Sequence, residues 1–485
     1  MSYRIQSIRF YVRETQPARF ASALGKKGQA GQQAERVTSP LCHARLSVAG
    51  EDGRETFGCA ADRLSVRWLD KRPGRSKALK LRELVALIEH AGRVYGEAGE
   101  FETPFALWRA LHPRIMEAGR AAGQEDLTCS FASALLERAV LDAVCRLNGK
   151  SFVELLRSGQ TGFDAGRMEP ELKELGIAEI LPRRIQTRIG IRHTVGLFDP
   201  LTDEDRPADQ RLRDGLPETL EECIRYYGLR YFKVKISGDA GQDMRRLVRI
   251  WELLPHEREP AITLDANEAF DDAETFSQFV ARLEEEQLGL FQHILYIEQP
   301  LPRRLALDPR SELWIRRAAE RKTLIIDESD GTLDAFRRAH RLGYSGTSHK
   351  NCKGVFKSLL NRARLLHYAR QDPAVVLSGE DLQNLPVVPL QQDFVSVAVL
   401  GLEHCERNGH HYNFGLSMLS DREKKAVTLR HRDLYEKRGD EWFLRIRDGA
   451  VETASLHGPG FGVQEEPDWD AMSPMNDWLK TRYPA

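Results

Sequence analysis

From about residue 190 the chain alternates short apolar runs with helical stretches, and repeats this seven or eight times in about 220 residues. The runs are RIGIRHTVG, LRYFKVKIS, PAITLDAN, HILYIEQP, KTLIIDES, SGTSHKN, AVVLSGED and LEHCERN. Between them lie segments of helical period such as PETLEECIRYYG, AETFSQFVARLEEE, GTLDAFRRAHRLG and VFKSLLNRARLLHYARQ. Strands that alternate with helices predict parallel pairing through crossovers. So many repeats in so little chain predict a closed barrel. An open doubly wound sheet is the alternative, but no GxGxxG follows a strand.

The preceding region has another texture. Residues 3–13 and HARLSVAGEDGRETFG alternate polar and apolar positions, which predicts antiparallel strands, the second run turning at a glycine. The segment 14–40, rich in Gly, Gln, Ala and Lys, is too polar for a core and predicts a mobile loop. Helical period follows in LRELVALIEHAGRVYGEA, FALWRALHPRIMEAG and FASALLERAVLDAVCRLNG, the last closed by Gly149. At the far end EWFLRIRDGAVETASLHGPGFGV alternates again and is expected to rejoin the first domain.

Three carboxylates interrupt the barrel runs one repeat apart: Asp265 in AITLDAN, Glu298 in ILYIEQP and Asp327 in TLIIDES. Lys233 and Lys235 precede them in YFKVKI, and Lys350 follows in GTSHKNCKG. Buried carboxylates are costly unless paired or bound to metal, and parallel barrels gather strand ends on one catalytic face. The order therefore predicts one metal flanked by amines. Three oxygen donors without a His or Cys cluster favour Mg²⁺ over Zn²⁺. Glu268 and Glu328 adjoin these candidates and could substitute as ligands; strand parity does not separate Asp327 from Glu328.

Lys233 and Lys235 share a strand face. Two ammonium groups about 6 Å apart, at an effective dielectric of about 20, repel by roughly 3 kcal/mol. That repulsion brings one lysine from about 10.4 toward about 8, where it can act as a base. A base alone cannot deprotonate a carbon beside a carboxylate, and a metal that stabilises the resulting dianion closes most of the gap. Lys235 and Lys350 on opposite sides could address both faces of that carbon. Two faces permit epimerisation, and equally elimination or cycloisomerisation with one lysine delivering the proton.

Taken singly, each signal has a plain structural account. A lone KxK is ordinarily a solvated strand edge, and one Asp at a strand end is ordinarily a turn or helix cap. The succession of amines, acids and amine on five successive strands is what points to a site. Asn267 is expected to hydrogen-bond near the metal. Glu380 and Asp381 end the seventh strand, where a substrate contact and a loop cap are both open. His404, His410 and His411 match no standard metal spacing.

Lys plus Arg number 71 against 72 Asp plus Glu, a formal net charge of −1, so no global field recruits nucleic acid or an anionic membrane. No apolar run approaches the roughly 20 residues of a membrane span. The N-terminus reads as a strand rather than a signal peptide. Seven scattered cysteines without a CxxC predict reduced thiols in a cytoplasmic protein.

At this point the chain resembles the enolase superfamily, within it the mandelate racemase and muconate lactonizing enzyme group. The residues that carry the resemblance are FKVKI (Lys233, Lys235), LDAN (Asp265, Asn267), IEQP (Glu298), DES (Asp327) and HKNCKG (Lys350, Lys353). ERAVLDAVCRLNGKSFVELL is similar to that family's capping-domain helix, and DGAVETASLHGPGFGV to its C-terminal return. The resemblance implies a modified TIM barrel, (β/α)7β, over 188–438, with an α+β capping domain over 1–187 and a return over 439–485. It implies Mg²⁺ held by Asp265, Glu298 and Asp327, an enolate formed from a small carboxylate, and Lys235 and Lys350 as the acid/base pair. Lys233 then partners the substrate carboxylate, while Asn267, Glu380, Asp381, Glu403 and His404 are expected to contact substrate. Further copies of the same chain are the expected macromolecular partner, with no nucleic acid or membrane.

The sequence also departs from the family pattern. KxxKxGG usually carries two glycines, whereas here Gly354 is followed by Val355, and the repeat between Asp265 and Glu298 is long. The eighth strand lacks the DxD that dipeptide epimerases use for an α-ammonium group and offers Glu403, His404 and Glu406 instead. In this family the loop corresponding to 14–40 closes over substrate, so an unusual specificity is expected. A racemase or epimerase is the first expectation, with a cycloisomerase or dehydratase as the alternative. A catalytically silent carboxylate-binding relative is a third reading, and a barrel whose acids merely pair with the lysines is a fourth.

Overall fold

The computed structural model describes residues 2–16, 19, 40–380, 385–408 and 413–484. An antiparallel sheet opens the chain: β1 (Tyr3–Arg13), β2 (Leu41–Gly50) and β3 (Glu55–Arg63) pair in sequence, and β4 (Glu100–Phe101) adds to the start of β1. Three helices cover the sheet, Lys77–Gly96, Pro104–Ala121 and Asp126–Leu147. The first two start where the sequence supplies caps: Ser76 accepts from Leu79 N–H, and Thr103 accepts from Ala106 N–H with Pro104 in the first turn. The third is buried at every residue but Asp126 and Arg146. It reaches β3 through Gly58, where a Cβ would stand 2.1 Å from the Ala139 carbonyl.

That buried helix carries charge inward, and each charge finds a partner. Arg138 pairs with Asp62 on β3, Asp142 accepts from Cys59 N–H at 3.0 Å, and Glu137 accepts from Phe356 N–H at 2.6 Å. The Glu137 bond crosses from the capping domain to the barrel.

The barrel comprises β5 (Arg188–Val195), β6 (Tyr231–Lys235), β7 (Ala261–Asp265), β8 (Ile294–Glu298), β9 (Leu324–Ile326), β10 (Gly346–His349), β11 (Val376–Gly379) and β12 (His404–Glu406). Neighbours pair in parallel, and β12 closes on β5 with Glu406 opposite Arg192. Helices such as Ala240–Leu253, Ala273–Glu286 and Val355–Tyr368 form the crossovers, giving the expected (β/α)7β barrel beside an α+β cap. Each of the eight apolar runs contains one barrel strand.

The C-terminal region divides its contacts. β13 (Tyr435–Arg438) and β14 (Glu441–Leu444) form a separate hairpin, and β15 (Ala450–Glu452) adds antiparallel to barrel strand β5. The chain then joins the sheet of the cap, where β16 (Ser473–Pro474) pairs with Tyr11 and Val12 of β1. The alternation over 441–452 thus belongs to the hairpin and to the barrel, because β5 offers an open antiparallel partner there. The seven cysteines are buried and free, and no helix among the described residues is long and apolar enough to cross a membrane.

Candidate active site

Strand parity builds the mouth. Lys235, Asp265 and Glu298 stand opposite one another on β6, β7 and β8, forming one row at the C-terminal ends of three neighbouring strands. Lys233 sits one inward position lower and sends its ammonium up into the acids. Its Nζ lies 2.9 Å from Asp265 Oδ2, 2.8 Å from Glu298 Oε2 and 3.1 Å from Glu406 Oε2, and it also contacts Glu380. Lys235 Nζ donates to Asp265 Oδ2 at 2.5 Å and to Asn267 Oδ1 at 2.7 Å. Across the mouth Asp327 accepts from Lys350 at 2.8 Å and from Lys353 at 2.7 Å, and Ser348 donates to it as well.

Repulsion is expected to lower one lysine of the Lys233 and Lys235 pair, and at Lys233 the arrangement goes the other way. Burial favours its neutral amine, but Asp265, Glu298, Glu380 and Glu406 override it and hold its pKa well above the ordinary lysine range. Lys350 behaves alike: burial opposes its charge, and Asp327 prevails. Among the acids, burial is offset at Asp265 by Lys233 and Lys235, which hold it below the usual carboxylate range. Asp327 is held further down against burial by Lys350 and Lys353. Glu298 goes the other way, raised by burial and by the charges of Asp265 and Glu380.

The expected metal ligands do not converge on one centre as they stand. Lys233 lies between Asp265 and Glu298, while Asp327 turns to Lys350 and Lys353. No group of three His, Cys, Asp or Glu side chains among the described residues is arranged to hold a metal ion. The donor set nevertheless fits a hard dication. Both oxygens of Glu298 are buried without an aligned hydrogen-bond donor, since the nearby ammonium of Lys233 is close but misdirected. Lys233 already touches Glu380 and Glu406, so yielding Asp265 and Glu298 would not leave it unpaired. All three donors are carboxylate oxygens, the kind Mg²⁺ takes.

The other candidates fall in different places. Asn267 joins the mouth, its amide donating to Glu328 Oε1 at 2.9 Å. Glu380 is fully buried, pairs with Arg192 and contacts Lys233. His404 faces inward but lies lower: its ring stacks on Tyr231, and its Nδ1 lies 2.7 Å from Arg192 Nη1. Burial and Arg192 lower its pKa to about 3, so it is neutral. Glu403 has the opposite parity and is exposed, whereas Glu406 takes the inward position, accepting from Thr194 at 2.6 Å. Glu268 is engaged by Arg303 at 3.1 Å. Asp381, His410, His411 and nearly all of 14–40 lie outside the described residues.

No protein-family model matches the sequence, and no curated protein matches it either. Solved structures do match over almost the whole chain. Muconate lactonizing enzyme from Pseudomonas putida superposes with a TM-score of 0.55 at 16% identity, covering 99% of this chain and 99% of that one. A mandelate racemase/muconate lactonizing protein from Herpetosiphon aurantiacus gives 0.57 at 17% identity, over 96% and 99%. A racemase from Streptomyces coelicolor A3(2) with bound magnesium gives 0.54 at 14%, over 96% and 98%. The fold is that of the mandelate racemase and muconate lactonizing proteins.

Within this racemase-like fold, several mouth residues carry no sequence signal of their own. Arg192 is wholly buried on β5 and ties Glu380, Ser378 and the Gly379 carbonyl together, yet it reads as one of two exposed arginines in RIGIR. Its inward parity, two residues before Thr194, was the available clue. Trp68 comes from the cap: its indole N–H donates to Glu328 Oε1 at 3.1 Å, and Lys350 Nζ lies 4.6 Å from its ring centroid. Burial, followed by the charges of Asp327 and Glu268, pushes Glu328 up to about 7.

Proposed function

We propose that the chain is an enzyme of the enolase superfamily that removes the proton α to the carboxylate of a small carboxylic acid. The reading rests on one observation above all: Lys235 and Lys350 face each other across a row of buried carboxylates, each amine hydrogen-bonded to one of them. Racemisation or epimerisation is the reaction we favour, since one lysine takes a proton from one face and the other returns a proton to the opposite face. Cycloisomerisation and dehydration use the same pair, with the second lysine protonating a ring or a departing hydroxyl.

Asp265, Glu298 and Asp327 are the residues that would hold Mg²⁺. When bound, the ion neutralises charge that develops on the substrate carboxylate as the proton leaves. Asn267 accepts from the amine of Lys235 alongside Asp265 and so fixes its position. Lys350, kept protonated by Asp327, suits the proton-returning role. Lys233, bridging the acids of β7, β8 and the seventh and eighth strand ends, suits the counter-charge for the substrate carboxylate. Trp68 and the buried walls exclude water, which strengthens each of these interactions.

The test is isotope exchange. With Mg²⁺ in deuterated water, a panel of amino-acid derivatives, hydroxy acids and sugar acids is expected to include one whose α-proton exchanges. Lys235→Ala and Lys350→Ala should each abolish interconversion, and exchange from the face that lysine serves, while leaving ligand affinity almost intact. No exchange from any member with the wild-type protein would count against catalysis.

A second reading is a barrel held by ion pairs with no metal. It is favoured by the four acids that Lys233 bridges. Calorimetric titration with Mg²⁺ after chelator treatment separates the two, because an ion-paired barrel gives no saturable heat.

A further inference from the structure

The short helix Val66–Leu69 reaches from the capping domain onto the barrel mouth. It is a single turn whose N-cap makes no side-chain hydrogen bond, and an isolated turn cannot hold its own shape in water. Its two last carbonyls are instead gripped from the barrel. Arg303, just beyond β8, donates from Nη2 to the Trp68 carbonyl at 3.0 Å and from Nη1 to the Leu69 carbonyl at 3.1 Å. The same guanidinium is fixed by Glu268 through Nε at 3.1 Å and by Glu125 of the cap. One planar fork therefore spans two domains.

What the fork holds is the tryptophan that touches Lys350 directly and reaches Lys235 through Glu328 and Asn267. The face of Trp68 lies against the Lys350 ammonium at 4.6 Å. Its indole N–H meets Glu328 Oε1 at 3.1 Å, the same oxygen receives Asn267 Nδ2 at 2.9 Å, and Asn267 Oδ1 receives Lys235 Nζ at 2.7 Å. Trp68, Glu328 and Lys350 are 3%, 1% and 4% exposed, so that end of the chain of contacts is shielded from water.

We propose that Arg303 is a positioning residue: by clamping the Trp68 turn it seats Lys350 directly and Lys235 through Glu328 and Asn267. This rests on the reading of those two lysines as the acid/base pair. Lysine cannot replace arginine here, because one ammonium does not span two carbonyls and two carboxylates in a plane.

The test needs no substrate. The full-length protein is labelled briefly with an acetylating reagent, and each lysine's rate is read by mass spectrometry against exposed Lys437. Arg303→Met should speed labelling of Lys350 by roughly fivefold or more, the factor equivalent to losing a cation–π contact. Trp68→Ala should do the same, and the double variant should add little to either. Trp68→Phe keeps the ring and should leave Lys350 protected. The labelling rate of Lys437 should stay the same in every variant. If Arg303→Met unfolds, Arg303→Lys is read in its place, with the same outcome expected. A folded Arg303 variant with wild-type Lys350 labelling overturns the proposal. Magnesium titration is independent: flat heats with accelerated labelling would sink the functional reading and leave the clamp standing.

Discussion

Lys233 and Glu298 are neighbours without being a hydrogen-bonded pair. The ammonium lies 2.8 Å from Oε2, yet neither buried oxygen of the glutamate has an aligned donor. Lys233→Met would leave four acids sharing less positive charge, and removing one partner of a buried ion pair costs about 3–5 kcal/mol. Urea unfolding in the presence of chelator should show a loss of that order. Added Mg²⁺ should recover part of it, and an unchanged midpoint in chelator would mean the acids are neutralised otherwise.

Arg192 and Glu380 are both 0% exposed. Arg192→Met leaves the buried Glu380 carboxylate to Lys233 alone and is expected to cost up to about 3–5 kcal/mol, whereas adding Glu380→Gln removes that charge and should return much of the loss. Thermal melts of the two single variants and the double variant measure this coupling. Strict additivity would argue against a direct interaction.

Glu137 is pushed up to about 7, chiefly by burial, against the lowering effect of the Phe356 N–H. A carboxyl raised in the folded state binds more protons there than when unfolded, so its contribution is complete at low pH and is lost as pH rises toward 7. The loss from the ordinary range to about 7 corresponds to about 3 kcal/mol. Glu137→Gln should therefore flatten the decline in stability between about pH 5 and 7, as read from denaturant midpoints. A decline as steep as in the wild type would assign it to other groups.

Gly354 joins the lysine-bearing turn to the Val355–Tyr368 helix at φ 104°, and a Cβ there would stand 2.9 Å from Glu137 Oε2. Backbone conformations of this kind cost a side chain about 1–3 kcal/mol. Gly354→Ala should lower the melting temperature and speed amide exchange over residues 350–358. Normal exchange there would show that the turn absorbs the methyl group.

The barrel was legible because its strands are buried on both faces and so stand out as apolar runs, broken only by the acids and amines of the mouth. The alternating parity that placed Lys233 with Lys235 also separates Glu406 from Glu403, since it puts inward residues two apart. Depth along a strand is another matter. His404 shares the inward face with Glu406 but stacks on Tyr231 near the floor, and nothing in LEHCERN records that level. Arg192 was hidden because a buried arginine and a solvated one look alike until Glu380 is brought opposite. Trp68 and Arg303 were out of reach for a further reason: they meet across two domains, from positions with no shared local pattern.

The sheet of the cap has consequences for the order in which the molecule can be completed. β16 pairs with Tyr11 and Val12 of β1, so that stretch of the strand's edge is covered by residues that follow it far along the chain, after the whole barrel. Until β16 is made, that stretch stays open to stray strands, a known route to misassembly. β15, already bound to β5, brings the tail back from the finished barrel, so closing the cap also checks that the barrel has been built.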